Sequence, residues 1–163
     1  MSATAPLSPA PSLISSRSPL PGRPLMVRTD VPLEVQVPAA VDAVPSARHE
    51  FSRWLSRVRV ERETRDDLAL VVTELVTNAV EASPGPRSQI EIRAWIESGP
   101  QVVLQVCDRG AGLQLTGSPR IPDARSVRGR GLPIVEALTD RRQVARSEGR
   151  TVVEVSRSLP TAR

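Results

Sequence analysis

Three short stretches carry side chains capable of chemistry at spacings a fold could use. In Glu74-Leu-Val-Thr-Asn78 a carboxylate and a carboxamide stand four residues apart, so on a helix they project from one face. Asparagine is a mediocre residue for a helix interior, which asks for a reason. Asp108-Arg-Gly-Ala-Gly112 follows an apolar strand. An acid at a strand end can accept a hydrogen bond from an exocyclic amine such as adenine's, and the two glycines allow a tight turn and close approach of backbone to a ligand. Gly129-Arg-Gly131-Leu132 leads into an apolar helix, and the unpaired N–H groups of such a helix entry suit a phosphate. Pro133 falls in the first turn, where its missing N–H costs little. Singly, each stretch has a plainer reading: a solvated helix face, an ordinary turn, and a loop that binds nothing.

The elements that would position them can be traced from the pattern. Leu33-Glu-Val-Gln-Val37 alternates apolar and polar residues, a short strand ended by Pro38. A helix is expected from about Ser46 to Arg57, with Phe51, Trp54, Leu55 and Val58 recurring on one side. Thr64-Arg-Asp-Asp67 resembles an N-cap with acids in the first turn. The helix it opens runs to about Ala82, with an apolar stripe at 68, 72, 75, 79 and 82, and Ser83-Pro-Gly-Pro86 stops it. Strands follow at Gln89–Glu97 and Val102–Cys107, then a helix at about 132–139. A last hairpin, Gln143–Ser147 and Thr151–Arg157, turns at Glu148-Gly149. This order, with hairpins in place of alternating β-α-β units, predicts an α/β (α+β) two-layer sandwich: a mixed, largely antiparallel sheet covered on one face by helices.

Composition narrows the chemistry. The 163-residue chain has 22 basic and 18 acidic side chains, and none of the basic ones is lysine. That excludes a P-loop nucleotidase, a eukaryotic-type protein kinase and a Schiff-base enzyme, each of which needs a lysine amine. One cysteine (Cys107) and one histidine (His49) exclude a disulfide framework and disfavour a zinc site. A net charge of +4 is a weak argument for nucleic acid, and three aromatic residues give few stacking platforms for it. No apolar run approaches the ~20 residues of a membrane span. Residues 1–28, with six prolines, six serines, three arginines and no acid, read as a disordered tail. They lack both the apolar core of a secretory signal and the amphipathic helix of a transit peptide. Residues 29–160 form the expected domain, and 161–163 a short tail.

Taken in order, the three stretches match a known pattern. The sequence resembles the Bergerat-fold (GHKL) ATPases, the superfamily of gyrase, heat-shock chaperones, histidine kinases and mismatch-repair ATPases. Glu74 to Asn78 is similar to its N box, Asp108-Arg-Gly110-Ala-Gly112 to its D-x-G-x-G box, and Gly129-Arg-Gly131 to its second glycine box. Within it, Thr73-Glu-Leu-Val-Thr-Asn-Ala-Val-Glu81, Gly129-Arg-Gly-Leu-Pro-Ile-Val-Glu-Ala-Leu-Thr-Asp140 and Gly149-Arg-Thr-Val-Val-Glu154 resemble the single-domain serine/threonine kinases of the anti-sigma factor type.

That resemblance implies a cytoplasmic, ATP- and Mg²⁺-dependent kinase. It would phosphorylate an anti-sigma antagonist and exchange it for a sigma factor, with no direct contact to nucleic acid or membrane. It makes Asn78 the Mg²⁺ ligand, Asp108 the reader of adenine, and Glu74 the general base. Gly110, Gly112, Gly129, Gly131 and Leu132 would shape the nucleotide pocket, and residues 113–128 would be a short lid. Relatives often carry an arginine before the second glycine box; Arg128 abuts Gly129 there, and Arg130, inside the box, is the other candidate. They also tend to carry an aromatic residue after the helix that closes at Asp140, where this chain has Arg141-Arg142. A nucleotide-binding adaptor without catalysis is the alternative, and dimerisation, common in the kinase relatives, is left open. His49-Glu50-Phe51 looks like a histidine-kinase phosphoacceptor box but has no room for the dimerising hairpin. It is expected to be a surface histidine, and Cys107 a buried apolar residue.

Overall fold

Residues 31–109, 131–147 and 149–160 are described by a computed structural model of the chain. The tails expected at 1–28 and 161–163 and the lid at 113–128 lie outside them. Leu33, Val35 and Val37 put the apolar side of strand β1 (Leu33–Pro38) toward the core. Pro38 closes the strand from within, as an edge position permits. Helix α1 (Ala43–Arg57) begins three residues before the expected Ser46. Pro45 does not delay it, because the first turn of a helix has no N–H to lose. The rings of Phe51 and Trp54 stack at 5.9 Å, and the Trp54 indole N–H donates to the Val31 carbonyl at 2.9 Å.

Helix α2 (Arg62–Ala82) corrects one expectation: Glu61, not Thr64, is its N-cap, and Thr64 lies buried inside the first turn. The start is set by the chain reversal before it. Arg59 turns at φ +60°, Val60 is buried, and Arg65 N–H closes onto Glu61 C=O at 2.9 Å. The predicted stripe is buried at Leu68, Val72, Leu75 and Ala79, while Ala82 is half-buried. Val71 and Val76 widen the stripe to the broad apolar face of a helix with neighbours on both sides.

Strands β2 (Gln89–Glu97), β3 (Gln101–Asp108), β4 (Arg141–Ser147) and β5 (Arg150–Ser158) complete a sheet of order β1-β2-β3-β5-β4. All four ladders are antiparallel, so among the described residues the sheet is not mixed. Alternate residues of each strand fill the core: Ile90, Ile92, Ala94 and Ile96; Val102, Leu104 and Val106; Val153 and Val155. The helices α1, α2 and α3 (Gly131–Leu138) pack on that one face as a second layer. No described helix is long and apolar enough to cross a membrane.

The link from α3 to β4 is pinned by charge. Asp140 N–H donates to Ser156 C=O at 2.8 Å, and its Oδ2 accepts from Ser158 N–H at 2.5 Å. Arg157 donates to the last-turn Leu138 carbonyl at 3.1 Å and lies 3.8 Å from Asp67 on α2. The hydrogen bonds from Ser158 hold the Asp140 carboxyl below its ordinary value of 3.8. A depressed carboxyl adds stability above the unfolded-state value and loses it as pH falls through the folded one. In urea titrations Asp140→Asn is expected to be less stable than wild type near pH 7, the gap closing as pH drops below about 3.8. A gap that persists or widens in acid would contradict the assignment.

Candidate functional site

The site forms where α2 crosses the end of β3. On β3 the core-facing row runs Val102, Leu104, Val106, and its next member is Asp108, buried to 4 % exposure. A carboxylate thus occupies the position where the pattern calls for a valine. Its cross-strand partner on β5 is Thr151, the next member of the row Val155, Val153. Thr151 is also buried, and its hydroxyl has no hydrogen-bond partner among the described residues. Directly paired side chains on one sheet face stand about 5 Å apart. The site therefore holds, side by side, an acid and an orphaned hydroxyl at the end of an otherwise apolar floor. A buried hydroxyl left without a partner costs about 1–3 kcal/mol, which a bound group or water removes.

Leu75, Asn78, Ala79 and Ala82 of α2 face this floor, and with Val106, Asp108 and Val153 they line a notch. Its enclosed volume is about 10 Å³, roughly one water molecule. Asn78 is the polar member of the helical wall. One turn earlier on the same face stands Glu74, and its carboxylate lies against a glycine. A Cβ built on Gly131, the first residue of α3, would overlap Glu74 Oε2 and lie 3.2 Å from its Cδ. The carboxylate thus rests against the start of α3, in space that a side chain at Gly131 would oblige it to leave. The structure thus gathers Glu74, Asn78, Asp108 and Gly131 at one end of the two layers, and half-buried Leu132 follows Gly131 on α3. Gly110, Gly112, Arg128, Gly129 and Arg130 lie outside the described residues.

Thr151 is the residue the sequence reading did not single out. The signal was available: it shares the parity of Val153 and Val155, so an alternating strand already placed a hydroxyl among core positions. His49 is exposed on α1, as expected of a surface histidine. Cys107 is buried on the opposite sheet face, but with more polar company than expected. Arg150 Nε donates to its sulfur at 3.3 Å while the same guanidinium pairs with Glu91 at 2.6 Å. Burial pushes the Cys107 thiol up and outweighs the lowering by Arg150, so it is a poor nucleophile. Arg142, at the position where relatives tend to carry an aromatic, folds back onto α3 and pairs with Glu136 at 2.6 Å.

The donor set suits a purine nucleotide and a hard cation. A buried carboxylate beside a hydroxyl can bind an amine edge, and amide and carboxylate oxygens one turn apart suit Mg²⁺ that keeps its water and phosphate ligands. The profile of the histidine kinase-like ATPase domain matches residues 37–157, and the chain belongs to that family. Among solved structures it is similar to the RsbU and RsbW domains of Rv1364c from Mycobacterium tuberculosis, at 22% identity and a TM-score of 0.60, over 82% of this chain. The chain spans about a third of that one, 34%, and the likeness is one of fold. A histidine kinase domain from the blue-light activated histidine kinase EL346 of Erythrobacter litoralis matches at 26% identity and a TM-score of 0.44, covering 60% of this chain and 45% of that one.

Contact between Glu74 and Gly131 makes a thermodynamic prediction independent of activity. In a double-mutant cycle of Glu74→Ala and Gly131→Ala, unfolding free energies are expected to be non-additive by about 0.5 kcal/mol or more. Additivity across the four proteins would contradict the contact.

Proposed function

We propose that this member of the histidine kinase-like ATPase family is an ATP-dependent protein serine/threonine kinase that works as an anti-sigma regulatory factor in the cytoplasm. Its protein substrate is an anti-sigma antagonist, and the same surface alternates between that antagonist and a sigma factor. The observation that carries the reading is the Glu74 carboxylate resting against the start of α3, one turn from Asn78. A nucleotide-binding adaptor has no use for a base at that position; a phosphotransferase does.

In this reading Asp108 accepts the amine of adenine, and the Thr151 hydroxyl, buried beside it, completes the recognition of the base edge. Asn78 holds Mg²⁺ through its carboxamide oxygen. Bound MgATP would supply its terminal phosphoryl group, the bond to the β-phosphate breaking with ADP as the leaving group. Gly131, with Gly129 before it, keeps backbone N–H groups clear of side chains at the helix entry, where phosphate oxygens are accommodated. Gly110 and Gly112 are assigned to the nucleotide, Leu132 closes the pocket's apolar side, and Arg128 or Arg130 neutralises phosphate charge. Glu74 accepts the proton of the substrate hydroxyl as its oxygen becomes the nucleophile. A positioned base of this kind contributes about 10²–10⁴-fold, the rest coming from alignment and charge neutralisation. A phosphoserine carries up to about two negative charges, enough to expel the product from a contact surface and free it for the other partner.

The test combines binding and transfer. Glu74→Gln keeps the shape over Gly131 and is expected to retain ATP affinity while losing about 10²–10⁴-fold in label transfer from ATP to the antagonist. Asn78→Ala is expected to lose the Mg²⁺-dependent part of ATP binding. Full transfer by Glu74→Gln removes it as the base. Tight ATP binding by wild type with no transfer to any antagonist leaves the adaptor.

A further inference from the structure

On the sheet face away from the helices, one arginine ties together the strands whose ends carry the site. Asp108 and Thr151 face α2, so their chain neighbours Cys107 and Arg150 point the other way, as alternation along a strand requires. There Arg150 Nε–H donates to Cys107 Sγ at 3.3 Å, and Nη2 of the same guanidinium pairs with Glu91 Oε1 at 2.6 Å. The other oxygen of Glu91 accepts from Arg93 at 3.4 Å, so this carboxylate is held from two sides. One planar group on the first residue of β5 thereby reaches both β3 and β2.

The clamp lies at a ladder end. Asp108 is the last residue of β3, and Asp108–Thr151 is the last pair of its ladder with β5. The ladder between β2 and β3 stops one residue earlier, at Glu91–Cys107, so at Asp108 the pairing continues on one side only. Thr151 in turn stands two residues after Gly149, which turns the hairpin at φ +72°. Strand ends open locally at small free-energy cost, whereas a binding constellation has to be held to within about 0.5 Å. Side-chain exposures of 37% for Arg150 and 21% for Glu91, and the weakness of sulfur as an acceptor, keep the contribution to global stability modest. The effect of the clamp is local.

We propose that Arg150 is a positioning residue for base recognition: through Cys107 and Glu91 it fixes the ends of β3 and β5, and so holds the Asp108 carboxylate and the Thr151 hydroxyl in the register that selects adenine. The inference rests on the assignment of Asp108 and Thr151 to the base edge. Arg150 stands on the opposite side of the sheet from the notch and acts through its neighbours, Thr151 in its own strand and Cys107 beside Asp108. The task is specific to arginine. A lysine carries the same charge, but one ammonium on a flexible stem cannot hold two acceptors at a fixed separation.

Calorimetry with ATP and with GTP against the full chain, Arg150→Met and Arg150→Lys tests this, together with amide hydrogen exchange. A carboxylate that reads an exocyclic amine favours ATP over GTP, whose base presents a carbonyl at that edge. In Arg150→Met this preference is expected to fall several-fold, with circular dichroism and the urea midpoint close to wild type. A residue that only supported the fold would lower both affinities together. Arg150→Lys is expected to behave like Arg150→Met; a wild-type preference in the lysine variant would make charge the cause and overturn the proposal. In an Asp108→Asn background Arg150→Met is expected to bring no further loss of ATP affinity, because the group it positions is gone, and a full additional loss overturns it. Exchange in peptides covering the ends of β3 and β5 is expected to be several-fold faster in Arg150→Met and unchanged around Val103; no change at either end also overturns it. Absence of ATP binding by wild type defeats the reading of the site itself. Binding by wild type with a preference that Arg150→Met leaves intact defeats this proposal alone.

Discussion

Two rows of the sheet change chemistry at their last residue, and the site depends on that change. On β3 the positions facing the helices are apolar until Asp108, and on β5 Val155 and Val153 lead to Thr151, which sits opposite it. Desolvating an acid and a hydroxyl there is unfavourable for folding alone. The arrangement is supported by what surrounds it: ladders on both sides of β3, and the long helix α2 pressed onto β2 and β3 through Leu68, Val72, Leu75, Val76 and Ala79. A rigid, well-packed body is what permits polar groups to be held buried at its end. The same helix then delivers Asn78 and Glu74 by its periodicity, with no loop involved in their placement.

Arginine, the chain's sole basic residue, does structural work that lysine could not. Arg157 reaches both the Leu138 carbonyl and the Asp67 carboxylate, and Arg150 both the Cys107 sulfur and Glu91. A planar fork with five donors serves two acceptors at once; an ammonium on a flexible stem orders neither as well. These clamps join α2, α3, β2, β3 and β5 around the ends of the sheet. Pairs of this exposure are individually modest, so their weight is in fixing register more than in adding stability.

Much of this was legible in the residues. Alternation named the strands, a 3.6-residue stripe named α2, and hairpin turns implied an antiparallel sheet. Where the reading missed, a local rule met a tertiary one. Thr64 has the chemistry of an N-cap, but the turn at Arg59 and the burial of Val60 start the helix three residues earlier. Pro45 suggests a boundary and is instead accommodated in a first turn. Thr151 escaped because a lone threonine in a β-strand is unremarkable until its cross-strand partner is known, and that pairing joins positions 43 residues apart.

The central claim is that Asp108 reads the base of a bound nucleotide. Titration calorimetry of MgATP against wild type and Asp108→Asn addresses it most directly, since asparagine keeps the size of the side chain and removes the charge that accepts the amine. A hydrogen bond to a charged group is worth about 1.5–3 kcal/mol, so the variant should bind about tenfold or more weakly with its fold intact. An unchanged affinity, or no heat of binding to wild type at millimolar nucleotide, would contradict the account.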